Sequence, residues 1–176
     1  MKRSLSCLLA LLFVLASSTR STAQGVTIAG DVLKDWVGQK SVMMKIAAEM
    51  PDDKFGYKST PAQRTFAEQV LHVATVNVGL MRTLGAKAAP PTINDKATAK
   101  ADVLKALGDS FDYGEAALKE FSDAQMLEAV MGPRFIGQAT RARIAFFTIA
   151  HSQDIYGQLV VYLRLNGHVP PASQRP

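Results

Sequence analysis

Apolar residues recur at three- and four-residue spacing through four long segments, and proline or glycine closes three of them. That period belongs to the α-helix. The first segment runs from about Asp31 to Met50, with Trp36, Lys40, Met43, Ala47 and Met50 along its stripe, and Pro51-Asp52-Asp53 ends it. The second opens at Thr60-Pro61-Ala62-Gln63, which reads as a capping box with proline at the first helical position. Phe66, Val70, Val73, Asn77, Leu80 and Leu84 form its stripe, and Gly85 stops it. Between these two helices, the rings of Phe55 and Tyr57 are expected to cover one end of the core. The third segment runs from about Asp95 to Phe121, lined by Ala101, Leu104, Gly108, Phe111 and Leu118. Ser122-Asp123-Ala124-Gln125 caps a short extra helix that Gly132-Pro133 ends. The fourth segment runs from about Gln138 to Asn166; Gly167 fits its end and Pro170-Pro171 forbids continuation. No strand pattern competes. The expected fold is all-α, a four-helix bundle with a short extra helix between the third and fourth helices.

The first residues stand outside this pattern. Lys2 and Arg3 precede an apolar run from Leu8 to Ala16, followed by small residues from Ser17 to Ala23. That order reads as a secretory signal peptide over residues 1–23, too short to span a bilayer, with cleavage near Ala23–Gln24 and a cut near Ser18 as the alternative. Residues 24–176 are then one exported domain, periplasmic or extracellular, with no membrane association. Its removal also changes the charge argument. The chain has 20 basic and 15 acidic residues; Lys2, Arg3 and Arg20 leave with the leader, so 17 bases face 15 acids and the net charge falls to +2. No basic run survives to bind nucleic acid. The one cysteine, Cys7, leaves as well. Disulfides, thiolate ligands and cysteine nucleophiles are thereby excluded, and any metal must be held by nitrogen and oxygen.

Polarity interrupts the stripe of the fourth helix. With His151 as reference and 100° per residue, Ile144, Phe147, Ile155, Tyr162 and Leu165 fall within about 40° and Gln158 within about 20°. Asp154 lies about 60° away. His151 is therefore expected near the middle of the inward face, with Asp154 and Gln158 one and two turns on. A lone histidine there is most simply a satisfied core residue. His72, at the margin of the second helix's stripe, adds a second reading: imidazoles from facing helices can share a metal ion. Asp154, three residues after His151, is the candidate third ligand. His168 follows the helix stop and reads as an end-of-helix residue. Trp36, Tyr156 and Tyr162 read as packing residues, and Lys40 and Arg164 as surface cations.

Several of these pieces form a pattern. They are Trp36, Phe55-Gly-Tyr-Lys58 with Thr60-Pro61, and Phe66-Ala-Glu-Gln-Val-Leu-His72-Val-Ala74. His151-Ser-Gln-Asp154, Tyr156-Gly-Gln-Leu-Val-Val-Tyr-Leu-Arg164, and Asn166-Gly167 through Pro170-Pro-Ala-Ser173 complete it. Over residues 30–173 the chain resembles the DinB family, the DinB/YfiT-like metalloenzyme group. The resemblance implies a four-helix bundle, often a homodimer, with a divalent metal held by one histidine of the second helix and two of the fourth, spaced His-x-x-x-His. His72 and His151 match the first two, but the third position is Ile155, which has no donor atom.

Three readings stay open. A divalent ion (zinc, nickel or manganese) is retained by His72 and His151, with Asp154 or water completing the set. Or the metal is absent, and His72, His151, Asp154 and Gln158 form a hydrogen-bonded network or a pocket for a small molecule. Or the protein is a non-catalytic bundle whose role is structural or lies in dimerisation. Substrate and catalysis stay unassigned.

Overall fold

The computed structural model describes residues 26–174; the expected leader lies outside them. Four long helices carry the fold: α1 (Ile28–Glu49), α2 (Phe66–Arg82), α3 (Lys100–Leu118) and α5 (Arg141–Leu165). Between α3 and α5 lie the short α4 (Asp123–Met126) and two three-residue strands, β1 (Ala129–Met131) and β2 (Gln138–Thr140). The fold is the expected all-α bundle. Each of α1 and α2 packs against both α3 and α5, so the order around the bundle is α1, α3, α2, α5. Helices α1 and α2 are thus diagonal, as are α3 and α5. Two connections, residues 50–65 and 119–140, therefore cross an end of the bundle.

The helix starts differ from the sequence expectation. Helix α2 begins at Phe66, not Thr60, because Thr65 and Glu68 make the reciprocal capping box instead. The Glu68 carboxylate accepts from Thr65 N at 2.7 Å, and Glu68 N donates to Thr65 Oγ1 at 3.1 Å. Thr60 and Gln63 close only a turn, Gln63 N donating to Thr60 O at 3.1 Å. Phe66 N and Ala67 N donate to the carbonyls of Tyr57 and Phe55, so the loop satisfies two orphan donors of the first turn. Phe55 is buried there against Phe66, ring centroids 5.2 Å apart, which closes that end of the core as expected.

Residues 129–131 and 138–140 pair as an antiparallel hairpin, contrary to the expectation of no strand. Gly132-Pro133 therefore sits in a hairpin loop and ends no helix. Three-residue strands are too short to leave an alternating pattern in the sequence. Helix α5 starts after β2, with Thr140 Oγ1 accepting from Arg143 N. It ends as expected at Gly167, whose φ is 77°. Gly167 N donates to Arg164 O and His168 N to Leu163 O, the paired bonds of a Schellman stop. His168 belongs to that helix end.

Trp36 is fully buried between α1 and α3. Its Nε1–H donates to Phe111 O at 2.8 Å, and its ring lies over Gly114, where any Cβ would stand 2.1 Å from Cζ2. Lys40 pairs at the surface with Asp112. A buried polar chain ties three helices together. Ser152 Oγ of α5 donates to Asn77 Oδ1 of α2 at 3.2 Å, and Asn77 Nδ2 donates to Ser110 Oγ of α3 at 3.3 Å. All three side chains have no exposed surface.

Candidate metal centre

The inward face of α5 is centred elsewhere than expected. Its buried residues include Thr148, Ser152, Ile155, Leu159 and Leu163, whereas Phe147 and Leu165 are exposed. The centre lies near Ser152 and Leu159, about 80–100° from His151 on the helical wheel. His151 stands at the edge of that face, half-buried, and Asp154 is exposed. Apolar periodicity alone misplaced the centre because two of the buried positions, Thr148 and Ser152, carry hydroxyls. The Thr148 hydroxyl donates to Ile144 O of its own helix, and that of Ser152 donates to Asn77, so both enter the core at little cost.

The two histidines meet on the seam between α2 and α5. His72 Nε2 and His151 Nε2 are 3.2 Å apart, with ring centroids at 5.0 Å and planes inclined at 68°. Burial, followed by the positive charge of Arg64 and then by His151, pushes the His72 imidazole below its usual range. Burial lowers His151 as well; Asp154 acts against that shift and Arg64 with it. Both rings are therefore held neutral, the form that ligates metal. His151 Nδ1 is buried with no hydrogen-bond partner among the described residues.

A chain of amides runs beside the pair. Arg64 Nη1 donates to Gln69 Oε1 at 3.4 Å, Gln69 Nε2 donates to Gln158 Oε1, and Gln158 Nε2 donates to Asp154 Oδ2 at 3.0 Å. Asp154 is thus engaged by its helical neighbour. Among the described residues, no group of three His, Cys, Asp or Glu stands close enough to hold one ion. The expected third ligand, Asp154, is therefore not gathered with the two imidazoles: three residues on from an edge position, it turns further toward solvent. Ile155, one residue further, is buried and supplies packing only.

The model of the DinB superfamily matches residues 36–159, which include α2, both histidines and most of α5. The chain belongs to the DinB superfamily. Two solved DinB-like proteins share the fold. One, from Bacillus cereus ATCC 10987, is 18% identical with a TM-score of 0.72, covering 81% of this chain and 95% of that one. The other, from Bacillus subtilis, is 18% identical with a TM-score of 0.64, covering 82% and 99%. No curated protein matches the chain. In this DinB-superfamily chain the sequence located both histidines but missed Arg64, which acts on both rings. Nothing in its local spacing marks Arg64; only the fold brings it to the seam.

Proposed function

We propose that this DinB-superfamily protein holds a divalent transition-metal ion weakly through His72 and His151, leaving the remaining positions to water or a small molecule. The 3.2 Å between the two Nε2 atoms carries this reading. Two nitrogens bonded to zinc at 2.0–2.1 Å and spread at the tetrahedral angle lie about 3.3–3.4 Å apart. The two nitrogens already stand at nearly that separation, on rings that burial keeps neutral.

The donor set fits in two positions and fails in the third. Ile155 has no donor, and His151 Nδ1 lacks the oxygen partner that normally orients a ligating imidazole. Both departures weaken the hold. Two imidazoles favour nickel or zinc over manganese. A bound ion would polarise a coordinated oxygen and acidify a bound water. The chain's own contribution is to fix the two rings across the seam, to keep them unprotonated, and to place Arg64 beside them.

A second reading rests on the same distance. An Nε2–H of one ring donating to the bare Nε2 of the other also fits 3.2 Å, so the pair can stand without metal beside a small-ligand pocket. The leader pattern of residues 1–23 supports export of residues 24–176. Phe146, Phe147, Val161 and Leu165, exposed along α5, support a homodimer through helix faces, which a mass measurement in solution tests.

Calorimetric titration of chelator-stripped, untagged protein with Zn²⁺ and Ni²⁺ separates the two readings. The first expects one ion per chain, lost in His72→Ala and in His151→Ala. No saturable uptake by the native chain sinks it and leaves the second.

A further inference from the structure

On the outer side of His72 lies a groove of about 340 Å³, lined by Arg64, Glu68, His72, Thr75, Asp95 and Lys96. Its charged groups are unequally committed. One Glu68 oxygen accepts from Thr65 N in the cap of α2, and that bond, its largest influence, holds the carboxylate below its usual range. Arg64 has five guanidinium donors but makes one side-chain hydrogen bond among the described residues, to Gln69 at 3.4 Å. Neither Arg64 nor Lys96 takes part in an ion pair among the described residues. Two cations, Arg64 and Lys96, thus share the groove with two carboxylates, Asp95 and Glu68, and one oxygen of Glu68 is held in the cap.

The root of Arg64 is nonetheless held firmly. Tyr162 Oη donates to Arg64 O at 2.6 Å, and the next residue caps α2. The guanidinium therefore projects from a fixed point. The side chain is exposed, and its bond to Gln69 and its place in the groove wall set the guanidinium beside the seam. A cation beside two rings that must stay neutral opposes their protonation and has no carboxylate at ion-pair distance among the described residues. The partner it lacks is an anion from outside.

We infer that this groove binds a small anion, a carboxylate or a phosphate, gripped by the Arg64 guanidinium, attracted by Lys96 and lying against His72. The planar fork of arginine matches the paired oxygens of either group. The inference rests on the proposed function in one respect, that it names the class of ligand beside the histidine pair. The groove and its cations exist without metal. A divalent ion on the pair would add to the positive potential and strengthen the same preference.

The test is an NMR titration of chelator-stripped protein, following the His72 ring and Arg64 Nε–H signals, with inorganic phosphate in one arm and acetate in the other. Saturable shifts are expected in at least one arm, weakening as sodium chloride is added, since screening acts on exposed charge. Phosphate alone points to a phosphate ester, and acetate alone to an organic acid. Arg64→Gln should weaken binding about tenfold or more, the scale of a lost charge-assisted pair. Lys34→Gln, an equal charge loss on the exposed face of α1, should leave it unchanged. Shifts in neither arm, or equal binding by Arg64→Gln, overturn the inference. Because no metal is present, anion binding without metal uptake overturns the proposed function alone, and metal uptake without anion binding overturns this inference alone.

Discussion

Gly114→Ala and Gly157→Ala are the same substitution on two helices, and they should change stability in opposite directions. At Gly114 the added Cβ would lie 2.1 Å from Trp36 Cζ2, 2.5 Å from Cε2 and 2.9 Å from Cη2. Carbon atoms pack at about 3.5–4.0 Å. Helices α1 and α3 must therefore part by more than an ångström, or Trp36 must turn and give up its bond to Phe111 O. Overpacking of this kind costs about 1–3 kcal/mol, and leaving the buried indole N–H without a partner about 1–3 more. Better helix propensity of alanine returns up to about 1 kcal/mol. The net expectation is a loss of about 2–4 kcal/mol, a fall in Tm of roughly 5–15 °C for a domain of this size. At Gly157 nothing lies within 4 Å of the added Cβ and the position is exposed. There the propensity gain stands alone, and Tm should rise by about 2–4 °C. Calorimetry gives both shifts. Trp36 is the sole tryptophan, so its emission reports the contact directly and should move to longer wavelength in Gly114→Ala only. If Gly114→Ala melts at or above the native chain with unchanged emission, the α1–α3 packing described here is wrong.

Three further outcomes are expected. Ser152→Ala removes the donor to Asn77 Oδ1 inside the core and should cost about 1–3 kcal/mol in urea unfolding. Stability should fall with acid through the histidine range: burial depresses both His72 and His151, so the unfolded chain takes up their protons first. Their contribution is complete above the ordinary histidine value of about 6.5 and is lost as pH drops from there toward the folded values. Thermal melts from pH 8 to 5 check this, and His72→Ala/His151→Ala together should flatten the profile. Ile155→His should lower Tm without metal, because an apolar side chain leaves the core, and restore it when zinc is added. At a hundredfold excess over Kd the gain is about 2.7 kcal/mol, or roughly 5–10 °C. Absence of a zinc response would show that position 155 does not point at the pair.

Helix number, the aromatic cover at Phe55 and the stop at Gly167 were legible because periodicity, ring placement and glycine conformation act locally. The start of α2 was not: Thr60-Pro61 and Thr65-Phe66 both resemble caps, and tertiary contact with the carbonyls of Phe55 and Tyr57 chose the second. The order of helices around the bundle left no local trace either. It emerges only when α1 and α2 are seen to share α3 and α5 without touching along their lengths. At the site, His72 and His151 were identifiable as rare side chains at helical positions. Their 3.2 Å meeting depends on the axial register of two helices, which one sequence does not encode in any single window. The hydroxyls of Thr148 and Ser152 concealed the true inward face, since a polarity count treats them as outward.

Three polar ties cross the α2–α5 seam at different heights: Gln69 to Gln158, His72 to His151, and Asn77 to Ser152. Sliding one helix past the other by a turn, about 5.4 Å, would break all three together. The seam behaves as a ruler with three marks, and the spacing of the imidazoles is inherited in part from the other two. An engineer can therefore exchange the histidine pair for other donor sets and keep the distance between them. Altering Asn77 or Ser152, which supply no donor to the pair, would instead change the gauge of whatever site is installed.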